Sequence, residues 1–132
     1  MLVQAVQAMV TGDFTLLGSS DMSIVYQVTV QIDATVHDDW LQWMQQHHIP
    51  HVLRTGCFTG MRLYRHINNP QGKAAITYSL QYTCRSLSDY EIYRERFAEG
   101  LQQEHRQRYE GKFTASRTLL QKVEMPDQLS SH

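Results

Sequence analysis

Three histidines crowd the end of one expected helix: His47, His48 and His51, in the run HDDWLQWMQQHHIPHVLRTGCF from His37 to Phe58. Imidazole titrates near neutral pH and also ligates metals, so the run raises two chemistries. His47 and His51 are four apart, which on an unbroken helix sets two rings on one face, as zinc sites often do. Pro50 lies between them, however, and only His37, His105 or Glu104 could complete the set. With no H-E-x-x-H and no paired cysteine motif, surface and capping histidines explain the run better, and no metal is expected.

Proton transfer is the better-posed chemistry. A helix C-terminus favours imidazolium while apolar neighbours oppose it, and a ring held between those pulls titrates near neutrality. His47 or His48 stands there, and His48 is the candidate acid/base, with His105 on a later helix as a partner. The competing role is structural: His48 bonding a backbone carbonyl and fixing the Pro50 turn. No serine sits in a nucleophile elbow, and no glycine-rich loop could cradle phosphate.

The elements that must position these groups follow from periodicity. Ile24, Tyr26, Val28, Val30 and Ile32 alternate with Val25, Gln27, Thr29 and Gln31, a strand with one buried face. Asp33 or Thr35 caps the next helix, whose first turn carries Asp38 and Asp39. At roughly 100° per residue, Val36, Trp40, Trp43, Met44 and His47 share its apolar face. That helix should end near His48, because Pro50 disfavours helical geometry at Ile49. Strands over 57–67 and 74–85 read as a hairpin around Asn68 to Gly72. If Ile67 pairs with Ala74, Cys57 lies opposite Cys84 and Leu63 opposite Tyr78. Ser86 or Ser88 then caps a helix with the stripe Leu87, Tyr90, Tyr93, Phe97 and Leu101, kinked or divided near Gly100. Residues 112–123 form the last strand.

Strand, helix, strand, strand, helix, strand predicts an α+β, ferredoxin-like βαββαβ domain, a four-stranded antiparallel sheet with both helices on one face. Trp40, Met44, His48, Tyr78, Tyr82 and Phe97 are the expected lining of a pocket between sheet and helices, suited to a small apolar or aromatic ligand. The uncovered face would carry Gln27, Thr29, Thr77, Ser79 and Gln81, with Phe58, Arg62, Tyr64 and His66 from the second strand. So few charges suggest burial against a second copy, and a symmetric homodimer is expected. A purely structural dimeric module is the alternative to a binding domain.

The chain has 132 residues, 42% hydrophobic and 19% charged, with a net charge of −1, enough for one domain with a core. Its scattered arginines make no nucleic-acid surface, and its apolar runs are too short to span a bilayer. Two cysteines, Cys57 and Cys84, cannot build a disulfide framework, so free thiols in the cytoplasm are expected. Residues 1–22 read as an N-terminal extension, residues 23–124 as the domain and residues 125–132 as a tail. No cofactor is called for.

W-L-Q-W-M at 40–44, H-I-P at 48–50, T-G-C-F at 55–58, Y-S-L-Q-Y at 78–82, His105 and K-F-T-A-S-R-T-L-L at 112–120 resemble an uncharacterised bacterial domain-of-unknown-function family. Its members look like dimeric α/β barrels, a group that includes cofactor-free monooxygenases, isomerases and haem-binding proteins. The resemblance thus implies the fold and the dimer, with catalysis of a monooxygenase or isomerase kind as the enzymatic alternative. His48, Pro50, Thr55, Gly56 and Arg117 fall at recurring positions of unassigned role. The family pattern often has histidine–alanine, then proline, mid-way along the second helix, where this chain has Phe97-Ala98-Glu99-Gly100.

Overall fold

A computed structural model describes residues 23–69 and 72–126. The expected extension at 1–22 and most of the tail lie outside the described residues. Four strands, β1 (Ile24–Asp33), β2 (Gly60–Arg65), β3 (Ala75–Cys84) and β4 (Phe113–Gln121), form one sheet in the order β2-β3-β1-β4. Every pairing is antiparallel, giving the ferredoxin-like arrangement. Four helical segments pack on one face: α1 (His37–Trp43), α2 (Ile49–Leu53), α3 (Leu87–Arg96) and α4 (Ala98–Arg108).

β1 alternates buried and half-buried residues along its whole length, as its hydrophobic period demands. Asp33 caps the first helical turn by accepting from the Thr35 N–H at 2.8 Å, and Ser86 caps α3 by accepting from the Asp89 N–H at 3.2 Å. The second long helix is divided, but at Phe97 rather than at Gly100: Phe97 leaves helical geometry at φ −122° and separates α3 from α4. Asp39 accepts from the Tyr109 hydroxyl at 2.6 Å, and Arg108 reaches both, so one small network ties α1 to α4.

Pro50 does not end the first helix. Between α1 and α2 the chain takes a π-helical turn, Met44–His48, and the Ile49 N–H bonds to the Met44 carbonyl, five residues back. The wider turn relieves the clash a proline ring makes with the carbonyl four residues before it. Pro50 then sits in the first turn of α2, where its missing N–H costs little. The helix ends instead at Thr55 and Gly56. The Thr55 hydroxyl donates to the Val52 carbonyl at 2.7 Å, and Gly56 takes φ 80°, a left-handed conformation that glycine adopts without strain.

The same turn rotates the side chains that follow it. Trp40 and Met44 are buried, Trp43 is half-buried, and His47 is exposed, so His48 rather than His47 completes the inward row. The hairpin register also differs from expectation. Gly60 pairs with Thr83 and Leu63 with Leu80, so Tyr78 lies opposite Arg65, and Cys57 precedes the strand. Asn69 moves the turn by one residue. Its carbonyl accepts from the Gly72 N–H at 2.9 Å, and its side-chain amide bonds the Gly72 and Ala75 carbonyls. A shift of two in the pairing keeps every side chain on its expected face. Phe58 is the exception: it lies before β2 and is buried in the core against Tyr82 and Tyr93, not on the uncovered face.

Candidate functional site

Sheet and helices enclose a cavity of about 40 Å³. Met44 and His48 reach it from the first helical run, Leu80 and Tyr82 from β3, Tyr93 from α3, and Gln102 and His105 from α4. β1 contributes Tyr26, Val28 and Val30, and β4 contributes Ala115 and Arg117. The β1–β4 register explains the last of these. Val28 faces Arg117 and Val30 faces Ala115, so Arg117 occupies a core-facing slot on an edge strand. Its Nε donates to the Tyr26 hydroxyl at 3.1 Å.

Of the six expected lining residues, Met44, His48 and Tyr82 line the cavity. Trp40, Tyr78 and Phe97 do not. Trp40 is fully buried one layer back, where its indole N–H donates to His105 Nε2 at 2.9 Å. Tyr78 turns to the far end of α1 and bonds His37 Nε2 at 2.7 Å, while His37 Nδ1 meets the Asp38 carboxylate at 2.9 Å. A carboxylate can only accept, so with neutral His37 the Tyr78 hydroxyl is the donor. Phe97 packs half-buried against the core at the helix division.

The two histidines at the cavity are both held neutral. Burial pushes His48 down to about 4, with His51 and Arg117 adding to the effect. Burial pushes His105 down to about 3, and His48 and Arg117 contribute. The near-neutral titration expected of His48 is not what the structure supports: burial lowers it, and the helix runs on to Leu53, so no C-terminal dipole acts on the ring. The backbone-carbonyl bond does not hold either: His48 Nδ1 is buried without a hydrogen-bond partner. The ring is placed by stacking on Trp43 at 5.1 Å and by His105 at 5.6 Å. Since the Trp40 N–H donates to His105 Nε2, that nitrogen is the acceptor and neutral His105 carries its proton on Nδ1.

Tyr26, Tyr82 and Tyr93 are all raised by burial, so their hydroxyls stay protonated and available as donors. What these groups can do together is bind a polar head group by hydrogen bonds and one guanidinium. They hold no ionised base at neutral pH. Sequence reasoning did not place Tyr26, Tyr93 and Gln102 at the cavity, and it singled out Arg117 only as a recurring position without a role, although a lone arginine in the alternating row Phe113, Ala115, Arg117, Leu119 was a visible signal.

His47 and His51 lie elsewhere, on an outer groove of about 540 Å³ with Trp43, Arg54, Glu104 and Arg108. Among the described residues no three metal-ligating side chains converge. Cys57 and Cys84 are buried free thiols, and burial pushes Cys84 up to about 11. Among the described residues no helix is long and apolar enough to cross a membrane.

Solved structures share this fold at low identity. An ethyl tert-butyl ether D family protein from Bacillus halodurans matches with TM-score 0.58 and 9% identity, covering 76% of this chain and 99% of its own. A Bacteroides thetaiotaomicron protein of unknown function, described as a possible oxidoreductase, matches with TM-score 0.56 and 6% identity, covering 77% and 99%. A dimeric ferredoxin-like protein from an uncultured marine organism matches with TM-score 0.55 and 10% identity, covering 80% and 99%. These likenesses establish the fold alone. No match was found among curated proteins. A family model matches residues 23–123, and the chain belongs to that family, the domain of unknown function DUF4286.

Proposed function

We propose that the protein is a homodimeric, cytoplasmic small-molecule-binding domain whose ligand enters the cavity between sheet and helices. One observation carries this reading: His48 borders the cavity with a buried nitrogen that bonds nothing. Leaving such an atom unpaired costs about 1–3 kcal/mol, and a ligand or water that pairs it would recover part of that cost. A volume of about 40 Å³ admits a few water-sized groups, so a ligand inserts only a small head group among the tyrosines and Met44, and its apolar or aromatic body stays outside the cavity. The reading calls for no cofactor, nucleic acid or membrane.

Catalysis of a monooxygenase or isomerase kind, with His48 as acid/base, is the second reading. Its favourable observation is a neutral imidazole at the cavity; against it, a base near 4 is poorly matched to proton transfer at neutral pH. A thermal-shift ligand screen between about pH 5 and 8 on the parent and His48→Gln tests the site. Ligands should raise the parent's Tm and raise that of the variant less. Equal shifts in both would remove His48 from the site.

The dimer rests on the uncovered face. Gln81 donates to Gln27 there across the central strands at 2.8 Å. Four strands present this row of amides and hydroxyls with few charges, and a fold neighbour is described as dimeric. Sedimentation equilibrium at micromolar concentration should give a dimer for the parent and a monomer for Thr29→Arg, which puts a charge in the middle of the face. A monomeric parent would refute the interface.

A further inference from the structure

We infer that Arg117 anchors a small oxyanion, the carboxylate head of the ligand, with His48 and His105 facing the bound oxygens. This deepens the cavity reading above and rests on it. Arg117 is an exposed residue that also lines the cavity, so it stands where the cavity meets solvent. Among the described residues its one hydrogen-bond partner is the Tyr26 hydroxyl. Four other arginines have carboxylates close by (Arg85 with Asp89, Arg94 with Glu91, Arg106 with Glu99, Arg108 with Asp39), and Arg117 differs from the remaining ones in lining the cavity. Among the described residues, no acidic side chain lies within ion-pair distance of Arg117.

Among the described residues, the titratable groups coupled to its charge are all neutral at pH 7. Tyr26 comes from β1, His48 from the π-helical turn, Tyr90 and Tyr93 from α3, and His105 from α4, and each feels the Arg117 charge. Tyr82 and Gln102 complete the lining without adding an ionised acid. Planar guanidinium recognises carboxylate through paired N–H donors, and protonated tyrosine hydroxyls add further donors. The cavity volume suits a carboxylate group and not a larger anion's body.

Binding there has a proton consequence. A negative charge beside Arg117 cancels the repulsion that helps hold both imidazoles neutral, so their pKa values rise towards the range where proton transfer is efficient. By linkage, carboxylate affinity increases as pH falls from about 7 to about 5.

Acetate is the probe, titrated at about pH 6 while the His48 and His105 ring signals are followed by NMR, with phenol as a neutral comparison. The parent should show a saturable acetate response at both rings. Arg117→Gln should lose it, and Arg117→Lys should bind about tenfold more weakly, the loss of one charge-assisted bond, with both variants still unfolding cooperatively in urea despite the lost Tyr26 bond. An acetate response in Arg117→Gln equal to the parent's overturns the anchor. A response to phenol but not to acetate overturns the anion while leaving the cavity as a ligand site. No response to either probe overturns both.

Discussion

Replacing His105 with alanine should lower stability by about 3–5 kcal/mol, the cost of removing a packed ring and orphaning a buried donor. His105 is 7% exposed and meets Trp40, Trp43, Tyr109 and Phe113, the last at 4.0 Å between ring centres. It is also the acceptor for the indole N–H of fully buried Trp40. Trp40→Phe removes the donor and keeps most of the apolar area, so its loss should be smaller, about 1–3 kcal/mol. Urea unfolding followed by circular dichroism checks both, and the double variant should lose less than the sum, because the two share one bond. Additive losses would mean that the Trp40–His105 bond contributes nothing measurable.

That bond shows what the sequence conveyed and what it withheld. Trp40 and His105 are 65 positions apart, and each reads separately as an apolar or polar spot on its own helix. Local patterns revealed the elements well. The alternation of β1, the Ser86 cap and the Asp33 cap all express short-range physics and appear where the residues put them. The first helix misled because a single 100° period cannot anticipate a π turn, and because the rule against proline applies to a regular helix. The hairpin misled by one residue of turn because a side-chain amide, Asn69, overrode the count of turn formers. The site was half legible for the same reason. Met44 and His48 follow from one helix, and Tyr82 from one strand. Tyr26 and Arg117 meet only because β1 and β4 pair with Val28 opposite Arg117.

Acidification should destabilise the protein well above the range where carboxylates usually govern acid unfolding. His48 falls from an ordinary 6.5 to about 4 on folding, and His105 from 6.5 to about 3. The unfolded chain therefore binds more protons than the folded one between those limits, and stability must rise with pH across them. Their contribution is whole above about 6.5, declines as pH falls, and is exhausted only below the folded values. Each pK unit is worth about 1.4 kcal/mol, so His48 alone withdraws about 2–3 kcal/mol by pH 4, after allowance for its partial contact with water. With His105 added, the loss is comparable to the whole stability of a small domain. Asp33, whose carboxyl is held below 3.8 by Thr35, acts with the same sign but lower on the pH scale. Its contribution is present above the ordinary carboxylate range and fades only below it, overlapping no more than the lowest part of the His105 window. Urea unfolding at a series of pH values should show the steepest decline between about pH 6 and 4. His48→Gln should cut the slope between about pH 6 and 4 by about half and leave the His105 share, which continues to about 3. A parent whose stability is level from pH 7 to about 4.5 would mean that neither imidazole is buried neutral. Acetate buffers would blur the result if Arg117 holds carboxylate, because a ligand on the folded state restores stability by mass action. Running the series in a chloride-only background and again with acetate turns that interference into a measurement: the gap between the curves should open as pH falls towards 5 and close in Arg117→Gln.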